Sequence, residues 1–281
     1  MDASKMTGAG AALALLFLCC PPQASGQAAE PPEHVDHQHM GHMGMMMNIP
    51  SGASATCQPK FTYESGPLGP EHWGSVCGTG KVQSPIDITR SKKMPSPPLA
   101  PLQIHYQPVE LDMVNDCNDH LVKVRFPDNR WLTVARKPYR LSEIDFHEPG
   151  ENAVNGKRPV MSLQLVHLSP EARFLIIEVP VIEGKENPAI KTLWQHIPAG
   201  GKEQVTPGVK FNAMDLLPAD HSFYTFRGSL TNPICDEGVA WFVLKHPIEM
   251  SAAQIAQYER YYHNTARPLQ ALGQRPVLET P

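Results

Sequence analysis

Glu143-Ile144-Asp145-Phe146-His147 and, downstream, Leu163-Gln164-Leu165-Val166-His167 are the segments around which the chain is organised. In an extended strand successive side chains point to opposite faces. Leu141, Glu143, Asp145 and His147 therefore project one way, and Ser142, Ile144 and Phe146 the other. A segment this central in a globular chain normally buries both faces, so a row of Glu, Asp and His predicts a lined cavity rather than a packed layer. The same alternation puts Ser162, Gln164 and Val166 together, with Met161, Leu163, Leu165 and His167 opposite them. Asp145, His147 and Gln164 can then converge across neighbouring strands. Two ligand-type residues one apart, with a third further on, have the arrangement of a tetrahedral metal site with an open fourth position. His167, on the apolar face, is expected to be a hydrogen-bonded core histidine.

Around this centre, composition sets limits. The 281 residues suit one large β-rich domain, and a net charge of -4 with a pI near 6.3 gives no basic patch for nucleic acid. The 29 prolines predict many loops and strand edges. At the start, Lys5 precedes a short apolar run, 11–20, followed by small residues, which predicts a cleaved secretory signal over 1–28 and no transmembrane span in the mature chain. Residues 29–56 interleave His34, His37, His39 and His42 with Met40 and Met43 and carry no strand or helix period. They are expected to be a disordered segment whose imidazoles and thioethers suit copper. Removing Cys19 and Cys20 with the signal leaves Cys57, Cys77, Cys117 and Cys235, an even set that predicts disulfides in any of three pairings. The folded domain is assigned to 57–281.

Within that domain, 121–126 alternates Val122, Val124 and Phe126 against Lys123 and Arg125, as a half-buried strand does, and 131–135 is expected to form a hairpin with it. Asn155-Gly156 predicts a tight turn between the two central strands. Residues 174–182 are apolar apart from Glu178 and Pro180 and predict a buried strand, as do 239–244. Asn187 with Pro188, before Ile190, Leu193, Trp194 and Ile197, predicts a surface helix that ends by Gly200-Gly201. Ser251 with Gln254 predicts a capping box. The C-terminal stretch reads as coil. The elements predict a β-dominated α/β domain.

Four further motifs, Gly69-Pro70-Glu71-His72-Trp73-Gly74, Gln83-Ser84-Pro85-Ile86-Asp87-Ile88, Gly228-Ser229-Leu230-Thr231-Asn232-Pro233 and Glu237-Gly238-Val239-Ala240-Trp241, occur in that order. Together with the central strands they resemble the alpha-class carbonic anhydrases, from about Tyr63 to about Val277. The resemblance implies a large, twisted, mostly antiparallel sheet with short helices on its surface, and a Cys77–Cys235 bridge, with Cys57 and Cys117 forming a second. It also implies zinc held by three histidines, but the matching positions here are Asp145, His147 and Gln164. Ser162 stands where a carboxylate usually orients one histidine. Glu148, Asn152 and Phe226 stand where Trp, His and Tyr are usual.

Thr231 and Glu151 match the pair that orients the zinc hydroxide, and His120 matches the histidine that carries protons to solvent. A carboxylate in place of an imidazole removes about one unit of the charge that acidifies bound water, and an amide oxygen is a weak ligand for zinc. The resulting expectation is a secreted or periplasmic protein with a non-catalytic binding or metal-handling role toward a small ligand, an anion or a metal ion. The alternative is a carbonate dehydratase using the Asp145, His147 and Gln164 set. Oligomeric state is left open by the sequence.

Overall fold

Five strands in antiparallel succession build the centre of the molecule: Val109–Asp116, Leu121–Arg125, Lys137–His147, Met161–Leu168 and Phe174–Glu183. The structure is a computed structural model that describes residues 59–93, 102–127 and 131–281, all within the compact unit Asn48–Pro281. Lys202–Phe211 extends one edge of the sheet by pairing with Val109–Asp116. On the other side Glu237–Leu244 pairs in parallel with Phe174–Glu183, then Phe223–Ser229 and Leu278–Glu279 follow antiparallel, within a sheet of 13 strands. The expected large, mostly antiparallel sheet with few short helices is present.

The side chains sort by face as the alternation requires. Ile144, Phe146, Met161, Leu163, Leu165, Ile177 and Val179 join the main core. On the other face Val166 and Ile176 belong to a smaller cluster with Ile86, Phe226 and Trp241. The main core is closed by two helices. Pro188–Trp194 starts at Asn187, whose side chain accepts from the Ala189 and Ile190 N–H groups, and it buries Ile190, Leu193 and Trp194. Ala252–Glu259 starts with the expected Ser251–Gln254 capping box. Trp194 meets Phe146 edge-on at 4.9 Å between ring centroids and stacks on Tyr258 at 5.7 Å, tying both helices to the central strand.

Several expectations are corrected. Leu141 lies in the main core, not on the face of Asp145 and His147, because the register slips between Leu141 and Glu143 and reverses the alternation there. Leu121–Arg125 and Trp131–Val134 do not pair as a hairpin. Trp131–Val134 instead turns back on Lys137–His147 through Ala135 and Arg136, at φ 48° and 65°, the left-handed pair a two-residue hairpin requires. Neither residue is a typical turn former, so the sequence hid it. The helix expected to reach Ile197 stops at Trp194, and the C-terminal stretch is not all coil, since Leu278–Glu279 adds a strand. Asn155 and Gly156 do take the left-handed turn.

Cys77 and Cys235 are bridged. Cys117 is disulfide-bonded too, while Cys57 lies outside the described residues. So do the signal segment and the copper candidates His34, His37, His39, His42, Met40 and Met43.

Candidate functional site

Register alone lines up four polar residues on four adjacent strands. Lys123 is paired with Asp145, Asp145 with Gln164, and Gln164 with Glu178. Directly paired residues share a face with their Cβ atoms about 4.5–5.5 Å apart, so these side chains form one row across the sheet, and all four are buried. His147, paired with Ser162, stands beside Asp145 in the next row on the same face. The structure therefore brings Asp145, His147 and Gln164 together, and it adds Lys123 and Glu178 as neighbours.

Each member is held differently. Lys123 Nζ donates to Asp119 Oδ2 at 2.6 Å and lies 3.7 Å from both Asp116 and Glu143 carboxylates. Burial works against its charge, yet Asp145, Glu143 and Asp119 outweigh that and hold the ammonium above the ordinary lysine range. Its expected place on the solvated side of a half-buried strand is thus corrected: the lysine is 5% exposed because carboxylates surround it. Asp145 is pushed well above the usual carboxylate range by burial and then by Glu143, with Lys123 opposing. Its Oδ1 is buried and has no hydrogen-bond partner among the described residues.

His147 Nδ1 lies 2.7 Å from the Thr265 carbonyl oxygen. A carbonyl only accepts, so Nδ1 carries the proton and Nε2 keeps a lone pair. Gln164 Nε2 donates to Glu151 Oε2, and Glu151 Oε1 accepts from the Arg267 N–H at 3.1 Å. Both carboxylate oxygens of Glu151, which the resemblance assigns to Thr231, are thereby engaged. Ser162 Oγ accepts from the Glu151 N–H at 3.2 Å. The Arg267 guanidinium in turn reaches Gln83, the Ser84 carbonyl and the Cys77 carbonyl, anchoring this cluster to the bridged segment.

Glu178 accepts from the backbone and the side chain of Asn152, and burial, partly offset by those bonds, raises its carboxyl to about 7. Tyr63 packs edge-on to His147 at 6.2 Å. Its buried hydroxyl has no hydrogen-bond partner among the described residues, and burial and then Glu151, Asp119 and Asp145 raise its pKa.

His120 sits at φ 56° before Leu121–Arg125, against Phe61 and Tyr262. Its Nε2 is buried without a hydrogen-bond partner among the described residues, and burial lowers its pKa. Thr231 is buried in the segment between Phe223–Ser229 and the bridged Cys235. His167 is the expected core histidine: Nε2 meets Tyr106 Oη at 2.6 Å, Nδ1 meets the Leu175 carbonyl, and burial pushes it down to about 4. Lys123, Glu178 and Tyr63 are the site residues that sequence reasoning missed. An ionisable residue inside the apolar run 174–182 is the one signal that pointed to any of them.

As a zinc site the donors do not fit. The floor offers one imidazole, one carboxylate set against a lysine ammonium, and one amide oxygen, and among the described residues no three His, Cys, Asp or Glu are disposed to hold a metal ion.

The family model for eukaryotic-type carbonic anhydrase matches residues 68–281. A carbonic anhydrase of Nostoc sp. is 35% identical over 223 residues, spanning 76% of this chain and 84% of that one. The alpha-carbonic anhydrase of Thermovibrio ammonificans, solved with the inhibitor sulfanilamide, superposes with a TM-score of 0.72 at 34% identity, covering 79% of this chain and 99% of that one. Dioscorin, solved with ascorbate, gives 0.71 at 30%, covering 78% and 97%. The chain belongs to the eukaryotic-type, or alpha-class, carbonic anhydrase family.

Proposed function

We propose that this member of the family is an exported, non-catalytic protein that binds a small ligand in the pocket where its relatives' chemistry is expected, without a catalytic zinc. The observation that carries this reading is the hydrogen bond from Gln164 Nε2 to Glu151. The third ligand position is an amide, and that amide engages the carboxylate that would orient Thr231. The Cys77–Cys235 bridge supports an oxidising compartment, secreted or periplasmic.

A second reading, a carbonate dehydratase using Asp145, His147 and Gln164, draws on the free lone pair of His147 Nε2. Stopped-flow carbon dioxide hydration with matched zinc analysis separates the two. Little activity and well under one zinc per chain are expected of the natural protein. Asp145→His with Gln164→His should gain about one zinc and part of the rate, limited by Ser162, since loss of a partner that orients a ligand costs about 10 to 100-fold. Robust hydration by the unaltered protein would overturn the non-catalytic reading.

A further inference from the structure

The face that carries Asp145, His147 and Gln164 is rich in acceptors. Gln164 gives one of its two N–H donors to Glu151 and carries Oε1 on the other arm of the amide. His147 spends Nδ1–H on Thr265 and keeps the Nε2 lone pair. Asp145 Oδ1 and Tyr63 Oη, on side chains 8% and 7% exposed, have no hydrogen-bond partner among the described residues. Buried polar atoms are rarely left unpaired, because an unmet acceptor costs its full desolvation.

The charge around them is one-sided. Asp116, Asp119 and Glu143 all lie within 3.7 Å of Lys123 Nζ, so three carboxylates surround the one ammonium, with the Asp145 carboxyl as its cross-strand partner. An anion entering this floor would meet that excess. A group bearing one positive charge and several N–H donors would satisfy it, because a carboxylate, an imidazole lone pair and an amide oxygen all accept from N–H, whereas an amide oxygen is a weak ligand for zinc.

We propose that the floor binds a small primary ammonium, either the ammonium ion or the head of an alkylamine, through Asp145 Oδ1, His147 Nε2 and Gln164 Oε1. This inference rests on the non-catalytic reading and names its ligand class. Asp119 lines both the charged cluster and an outer cavity of about 310 Å³ whose walls include Phe61, Leu68, Trp73 and Pro233. That cavity, lined also by Lys60, His72 and Asn118, would offer a short alkyl stem the faces of those four residues.

The test is calorimetric titration and thermal unfolding of the full chain in ammonium, methylammonium, butylammonium, tetramethylammonium and sodium chlorides at equal ionic strength. The ions with N–H donors should bind and raise Tm, whereas tetramethylammonium and sodium should do neither. Butylammonium binding more tightly than ammonium would identify an amine with a stem, and equal binding the ammonium head alone. Asp145→Asn should weaken binding about 10-fold or more.

Equal responses to tetramethylammonium or sodium, or no binding by any ion, overturn the inference without requiring any variant to fold. Absent binding together with absent hydration removes only this inference. Zinc-dependent hydration by the natural protein removes the non-catalytic reading as well.

Discussion

The two faces of the central strand pair are equally dry and chemically opposite. Ile144, Phe146, Leu163 and Leu165 are each 0% exposed, and Asp145, His147, Ser162 and Gln164, on the alternate positions, are only 8, 2, 0 and 3% exposed. On the first face the side chains are hydrocarbon and carry no hydrogen-bonding atom to satisfy. On the second, burial creates obligations that the protein meets unevenly: Gln164 and His147 donate to fixed acceptors, while an Asp145 oxygen is left over. Exclusion from water alone therefore does not separate a core from a site. The separation lies in whether the buried atoms are mutually satisfied.

Altering one residue on each face should separate the two energetically. Phe146→Ala removes a ring wedged against Trp194 and should cost about 3–5 kcal/mol in urea unfolding. Asp145→Asn, its chain neighbour, should leave stability unchanged or raise it, because it discharges a buried carboxyl with an unpaired oxygen. A comparable loss in both would mean the faces are energetically alike.

Next in size is pH. Glu178 on the pocket face has its carboxyl raised from 4.5 to about 7, so the folded protein binds more protons than the unfolded chain in that window and loses stability as pH rises through it. His167 on the core face is lowered from 6.5 to about 4, so the folded protein binds fewer and loses stability as pH falls from 6.5 toward 4. Each amounts to about 3 kcal/mol at most. Glu178→Gln should abolish the alkaline-side loss and His167→Gln the acid-side loss, both read from urea midpoints between pH 4 and 8.

The smallest expected effect is a matched hydroxyl deletion. Tyr258 Oη donates to the Phe146 carbonyl, and Tyr258→Phe should cost about 1 kcal/mol. Tyr63→Phe deletes a hydroxyl without a hydrogen-bond partner among the described residues and should stay within about 0.5 kcal/mol.

Much of this was legible in the chain. Alternation in 143–147 and 161–167 assigned Asp145, His147 and Gln164 to one surface, because a period of two is a covalent property of extended backbone. The helix starts at Asn187 and Ser251 were legible for the same local reason. What escaped depended on partners distant in sequence. Lys123 reads as a solvated strand residue until the 116–119 turn and Glu143 are folded over it. The slip that moves Leu141 to the core is set by pairing with Met161–Leu168, and the Ala135-Arg136 turn is held in a conformation its residues do not favour. Gln164 was visible as an altered ligand position, but its bond to Glu151 depends on a loop geometry no period encodes.

The row from Lys123 to Glu178 also bears on the order of assembly. Its four strands lie between residues 121 and 183 and meet only through antiparallel pairings, whereas the Cys77–Cys235 bridge spans a separation of 158 and the parallel pairing of Phe174–Glu183 with Glu237–Leu244 needs a long crossover. Closing a short loop forfeits less chain entropy than closing a long one. The charged floor is accordingly the part that a growing chain can form first, before the residues after 183 exist, and the bridged rim and the Arg267 anchor close over it last.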